Sequence, residues 1–166
     1  MTSVQENSIT EKMRGILFNW LVSVHEVWRL KQETLYLTFN IIDRYLSSSK
    51  VEKEYLQCIG VSALLIACKY EEIYFPDIMD FVEITAHSFQ KNDILYMEYI
   101  ILTTLNFHIT ISSPLKFQEY FLSFLDIDQN RQFCAQYLLE LAAFSYPLLK
   151  YRPSCIASAV MLTVVS

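Results

Sequence analysis

Residues 56–72 read LQCIGVSALLIACKYEE. Between Cys58 and Cys68 the one polar side chain is Ser62. As a helix this run is apolar on every side and has no face for water. It is too short to span a bilayer, which takes about 20 apolar residues. Ala63, Leu64, Leu65, Ala67 and Lys69 favour helix over strand, and no turn residue cuts the run. Gly60, Ala63 and Ala67 form a stripe of small residues that lets a neighbouring helix approach closely. The spacing predicts a central helix walled in by other helices. Glu71 and Glu72 follow it, against the dipole of a helix C-terminus, and are expected on the way out, in a surface loop.

The totals agree with a helical protein. The chain has 166 residues, enough for one domain or two small ones, and 53% of them are hydrophobic, which excludes disorder. With only two glycines, Gly15 and Gly60, there are too few turn residues for a sheet protein and no phosphate-cradling loop. All-α is therefore the economical fold class. A net charge of −5 argues against nucleic acid as the main partner. The four cysteines, Cys58, Cys68, Cys134 and Cys155, contain no CxxC and read as reduced core residues of an intracellular protein. No signal peptide and no convincing transmembrane stretch are present.

Around the central run the chain divides into further helical segments. Residues 1–9 form a polar lead-in, frayed over Met1 to Asn7, and Ser8-Ile9-Thr10-Glu11 has the form of a capping box. A helix to about Leu30 carries two apolar stripes. One is Met13, Ile16, Leu17 and Trp20; the other is Phe18, Leu21, Val22, His25 and Trp28. Two stripes mean deep burial or a second apolar surface kept for a partner, and periodicity alone favours plain core. A second helix spans Thr34 to Leu46, where Asp43 sits among apolar residues and Arg14 is the cation assigned to it. The central helix, Lys53 to Tyr70, comes next. A short fourth helix opens on Pro76 and runs to Ile84, and a fifth runs from Gln90 to Asn106. In the fifth, Glu98 is either turned to water or waiting for a donor. Residues 108–114 are the linker, closing on Ser113 as N-cap and Pro114 at N1. Three helices follow: Leu115 to Leu125, Gln129 to Phe144, and Pro153 to the end.

The chain echoes itself. Cys58-Ile59-Gly60-Val61-Ser62-Ala63 is matched in composition and position by Cys155-Ile156-Ala157-Ser158-Ala159. Two copies of one helical unit are expected, the second incomplete, with its last apolar helix short of cover.

No catalytic constellation stands out. His25, His87 and His108 lie on different elements without metal-ligand spacing, and Glu71-Glu72 has no acid–base partner. Interaction is the function class that remains. Lys69 and Glu98 are solvated side chains or partner contacts, and the residues alone do not decide between these.

The motifs together resemble a cyclin. Met13 to Leu21, MRGILFNWL, resembles the family's MRAILxDWL, and Thr34 to Leu46 resembles ETLxLAxxxxDRFL. Lys69 to Tyr74 resembles KYEEIYPP, and Met97-Glu98 with Leu105-Asn106-Phe107 matches MExxILxxLxF. The pattern is most similar to the mitotic A/B class, and KYEEIY with Tyr137 to Leu141 leans to the B type. The resemblance implies a cyclin fold: one complete five-helix cyclin box over residues 10–107, then the first three helices of a second, truncated box over 115–166. It implies a regulatory subunit of a cyclin-dependent kinase of the mitotic class, activating and substrate-targeting, at G2/M, non-catalytic, without cofactor or metal, in nucleus and cytoplasm. The alternative is a cyclin-fold scaffold or transcription-type adaptor that activates no kinase.

By motif position, Lys69 and Glu98 would hydrogen-bond the kinase, and Tyr70, Leu102, Phe107 and Ile109 would supply apolar contacts. Met13, Ile16, Leu17, Trp20 and Gln57 match the patch that captures RxL-type segments of substrates or inhibitors. Ser23 and Asn19 stand where strong RxL binders carry carboxylates, so weak docking is expected. Arg14 and Asp43 correspond to a structural ion pair inside the box. Against the family pattern, the residues before the first box are expected to be too few for a full docking helix or a destruction box and the second box to want its last two helices, as in a fragment, a truncated gene product or a degenerate cyclin. Poor solubility alone is expected from that.

Overall fold

A computed structural model describes residues 9–165. Every regular element among them is helical: α1 (Glu11–Trp28), α2 (Gln32–Ser48), α3 (Leu56–Glu71), α4 (Ile78–Glu83), α5 (Lys91–Thr104), α6 (Pro114–Leu122), α7 (Gln129–Phe144) and α8 (Pro153–Val165), with short 3-10 turns at Lys53–Tyr55 and Tyr146–Lys150. They fall into two compact units, Met1–Thr110 and Ile111–Ser166. No helix among the described residues is long and apolar enough to cross a membrane.

In the first unit α3 is the axis. Every residue from Cys58 to Cys68 is buried, as its all-round apolarity demands. α2 and α5 cover most of it, and α1 and α4 touch it. The Ser62 hydroxyl donates to the Ile94 carbonyl of α5 at 3.0 Å, so the one polar side chain of the run is satisfied. Gly60 serves the small-residue stripe directly: a Cβ there would lie 2.7 Å from Leu17 Cδ1, so its absence is what lets α1 sink onto α3.

α1 starts at Thr10, whose Oγ1 accepts from the Met13 amide at 3.2 Å. The Ser8 end of the expected capping box and the frayed lead-in lie outside the described residues. The helix stops at Trp28, two residues short of Leu30. Arg29 turns left-handed, and the amides of Arg29 and Leu30 close on Glu26 and His25 carbonyls. Phe18 and Leu21 are fully buried, and Trp28 meets Phe81 of α4 edge-on at 4.8 Å.

The Arg14–Asp43 pair forms as expected and ties α1 to α2. Arg14 Nε and Nη2 donate to the two Asp43 oxygens at 2.7 and 2.8 Å. The guanidinium also lies 4.0 Å over the Phe18 ring, which stacks on Phe39 at 3.9 Å. Burial pushes the Asp43 pKa up, and the hydrogen bond and charge of Arg14 pull against that rise.

Three local expectations fail for physical reasons. α4 does not open on Pro76: Asp77 is its N-cap and Asp80 closes a capping box, so Pro76 lies just outside. Glu71 and Glu72 do not lie in a loop. Glu71 is the last residue of α3 and Glu72 its C-cap, and the Glu72 carboxylate accepts from the Lys31 amide (2.7 Å) and the Thr34 hydroxyl (2.6 Å). α2 has no capping side chain of its own, so Glu72 caps it from a distance and gains the positive end of its dipole. Cys134 and Cys155 are exposed; only Cys58 and Cys68 are core.

In the second unit α8 packs on α6 and α7, taking the place that α3 has in the first. Ser113 caps α6 and Pro114 occupies its first turn, as the sequence implies. Ala157, Val160, Met161 and Val164 are buried, but Leu162 is 72% exposed. With Phe121, Phe124 and Leu125 it lines an apolar cleft of about 370 Å³ between α6 and α8. Part of the last described helix is thus left uncovered.

Candidate functional site

The first unit carries two surfaces worth attention. The first forms where the C-terminal end of α3 meets the middle of α5. Helical register brings Lys69 and Glu98, 29 positions apart, to one place: Lys69 Nζ donates to both Glu98 oxygens, at 2.7 and 2.8 Å. Lys69 is 44% exposed and Glu98 13%. Glu98 therefore has its donor within the chain and is not left waiting for one from a partner. An ion pair this open contributes little to stability, about 0.2–1 kcal/mol. Its effect is to fix the direction of the ammonium. Lysine has three N–H donors and no acceptor; two go to Glu98, and the third remains for another acceptor.

Apolar side chains stand beside the pair. Tyr70 is 51% exposed, and its hydroxyl bonds the Thr110 hydroxyl. Phe107 is 63% exposed. It is held there by the end of α5, where Asn106 and Phe107 both take positive φ, at 51° and 57°. The Phe107 amide reaches back to the Leu102 carbonyl at 2.9 Å and the Asn106 amide to Thr103 at 3.1 Å. This is the doubly bonded, left-handed helix ending. A left-handed conformation costs a residue with a Cβ about 1–2 kcal/mol, and here it turns an aromatic ring toward water. Leu102 is half-buried, and Ile109, at 7%, belongs to the unit's own core rather than to the open face. The stretch after α5 is steadied by Arg44, which donates to the His108 carbonyl at 2.7 Å.

Sequence reasoning passed over the neighbours of this surface. Ile73 (79% exposed) and Tyr74 (91%) come three and four residues after Tyr70, beyond Glu71 and Glu72, and are large apolar side chains left in water. The signal was available: an apolar IYF run in a segment too short and too proline-bound to pack as a helix. Lys31 was also missed. Its ammonium bonds the Glu71 carbonyl at 2.6 Å, so the end of α3 is anchored to the start of α2 by backbone and side chain alike.

The second surface is a cleft of about 290 Å³ lined by Met13, Ile16, Leu17, Trp20, Lys53, Leu56 and Gln57. All five residues expected in a docking patch line it, and Lys53 and Leu56 join them. The first stripe of α1 is therefore divided. Leu17 is buried and Ile16 is 62% exposed on the rim. Among the described residues no group of three His, Cys, Asp or Glu side chains could hold a metal ion.

Comparison with known proteins bears on the family and the fold. Residues 1–110 match the family description "Cyclin, N-terminal domain" and residues 112–166 match "Cyclin, C-terminal domain". The chain is 43% identical over 158 residues to Cyclin-B2-1 of Oryza sativa subsp. japonica, covering 95% of this chain and 38% of that protein. It is 42% identical over 158 residues to the G2/mitotic-specific cyclin-B2 of Oryzias latipes, covering 95% of this chain and 41% of the relative. The chain thus spans about two fifths of the length of the curated relatives it matches. Among solved structures, a viral cyclin from herpesvirus saimiri superposes with a TM-score of 0.84 at 21% identity, over 96% of this chain and 72% of that one. That likeness bears on the fold, which is the cyclin fold.

Proposed function

The chain belongs to the cyclin family, and we propose that it is a non-catalytic regulatory subunit of a mitotic-class cyclin-dependent kinase, of the B type. In this reading the α3–α5 surface seats the kinase's regulatory helix and activation segment. Docking swings that helix inward, so that its glutamate pairs with the lysine that binds ATP. Tyr70, Phe107 and the edge of Leu102 supply apolar contact area, with Ile109 supporting them from behind. Lys69, held by Glu98, offers its third N–H to a main-chain carbonyl of the kinase. Orientation before docking lowers the entropy lost on binding. The cleft on α1 would take apolar segments of substrates or inhibitors, RxL-type ones weakly. The complex would act in nucleus and cytoplasm at G2/M.

The observation that carries this reading is the fixed Lys69–Glu98 pair on an open face, flanked by exposed Tyr70 and Phe107. Co-purification of the full chain from cell extract, followed by a histone-kinase assay, tests it. Kinase activity should be recovered with the wild-type chain and lost with the Lys69→Ala/Glu98→Ala double variant. Recovery of partners without kinase activity would instead favour the scaffold or adaptor role. Undiminished activity in the double variant would remove this surface from the interface.

A further inference from the structure

We propose that the α1 cleft selects peptides carrying an acidic side chain next to their apolar anchor, and disfavours arginine there. The proposal deepens the reading of this cleft as a docking site and rests on it. The floor and walls, Leu17, Leu56, Met13 and Trp20, are apolar, with Ile16 on the rim, so an inserted leucine or phenylalanine side chain supplies the anchor. Among the described residues the polar lining is one neutral amide, Gln57, and one ammonium, Lys53.

Among the described residues no carboxylate lines the cleft. On α1, Asn19 and Ser23 are exposed and neutral, with the Ser23 hydroxyl turned back onto the Asn19 carbonyl at 3.2 Å, and Lys12, next to Met13, is a second exposed cation. Glu52 and Glu54 flank Lys53 in sequence, and Glu11 starts α1. All three are exposed and none borders the cavity. The overall charge of −5 works in the other direction, favouring basic ligands. That field is spread over the surface and screened beyond about 8 Å at physiological salt. Lys53 stands in the lining itself, where a ligand carboxylate comes within contact range. The local cation therefore decides the sign of the preference. An open ion pair of this kind is worth a factor of roughly 1.5 to 5 in affinity.

Three labelled peptides sharing one Leu-Phe anchor and differing at a single flanking residue, Asp, Gln or Arg, would be titrated against the full chain by fluorescence anisotropy. The expected order of affinity is Asp, then Gln, then Arg. Asp and Arg should differ by about 2- to 25-fold at low salt, two such single-charge steps taken together, and the gap should narrow as salt is raised. Lys53 is exposed, so Lys53→Gln should leave the far-ultraviolet circular dichroism unchanged while removing the advantage of Asp over Gln. Lys53→Glu should reverse the order. Arginine binding as tightly as aspartate, or an order that survives Lys53→Glu, would overturn the charge preference and leave the docking site standing. If no peptide binds, or if Trp20→Ala leaves binding unchanged, the docking reading falls, and the charge preference with it.

Discussion

Breaking the Arg14–Asp43 pair should strongly destabilise the first unit. Asp43→Asn keeps the shape of the side chain and removes its charge. Arg14 is 1% exposed, so its charge is left deep in the unit with a neutral amide facing it. Removing one partner of a buried pair costs about 3–5 kcal/mol. Asp43 keeps 15% of its surface in water and Arg14 keeps the Phe18 ring beneath it, which places the expected loss near the lower end, about 3 kcal/mol. Both tryptophans, Trp20 and Trp28, lie in the first unit, so urea unfolding followed by tryptophan fluorescence reports that unit alone. With a slope of about 2 kcal/mol per molar urea, the midpoint should fall by about 1.5 M. Arg14→Met should do comparable harm by stranding the carboxylate. The double variant Arg14→Met/Asp43→Leu should recover most of the loss, because burial already works against the Asp43 charge and an apolar pair pays no such cost. A single-variant loss under about 1 kcal/mol, or a double variant as unstable as the sum of the singles, would refute the reasoning.

Two further outcomes are expected. Glu72→Ala strips α2 of its borrowed cap and should cost about 1–2 kcal/mol in the same urea assay, whereas Glu72→Gln, which still accepts hydrogen bonds, should cost less; equal losses would exclude the capping role. Native alkylation should label Cys134 and Cys155 and spare Cys58 and Cys68 by mass spectrometry. Burial pushes those two thiols up to about 11 and about 12, so the folded state holds protons that the unfolded chain gives up near pH 9. Their contribution is therefore fully present below pH 9 and is lost as pH rises toward 12. Replacing both by alanine should flatten the alkaline limb of the stability profile.

Much of the architecture was legible because it rests on local signals. The run from Cys58 to Cys68 has no wet face, and it became the most covered helix of the first unit. Ser113-Pro114 announced the start of α6 by capping chemistry alone. Arg14 and Asp43 were pairable because Asp43 sits among apolar neighbours and so needs a cation. What stayed hidden depends on register between distant elements. Lys69 and Glu98 each look like ordinary surface charges until α3 and α5 pack, and so the pair could be placed on one face but not in one bond. Glu72 looked misplaced at a helix C-terminus because its partners, Lys31 and Thr34, lie about 40 positions upstream. At α4 two local signals competed. Asp77 and Asp80, which satisfy amides reciprocally, outweighed a proline that only fixes its own φ. The exposed Cys134 and Cys155 show the limit of composition: apolar neighbours in sequence say nothing of which side of a helix a thiol takes.

The left-handed ending of α5 makes spacing itself a constraint. Each residue along an α-helix advances the azimuth by about 100°, and Glu98 and Phe107 share one rigid segment. Adding or deleting a single position between them would swing the ring a quarter turn or more away from the carboxylate, though every amino acid needed for contact were still present. Between 111 and 113, past the contacts of His108, Ile109 and Thr110, no helix fixes the count and the same insertion would leave both where they are.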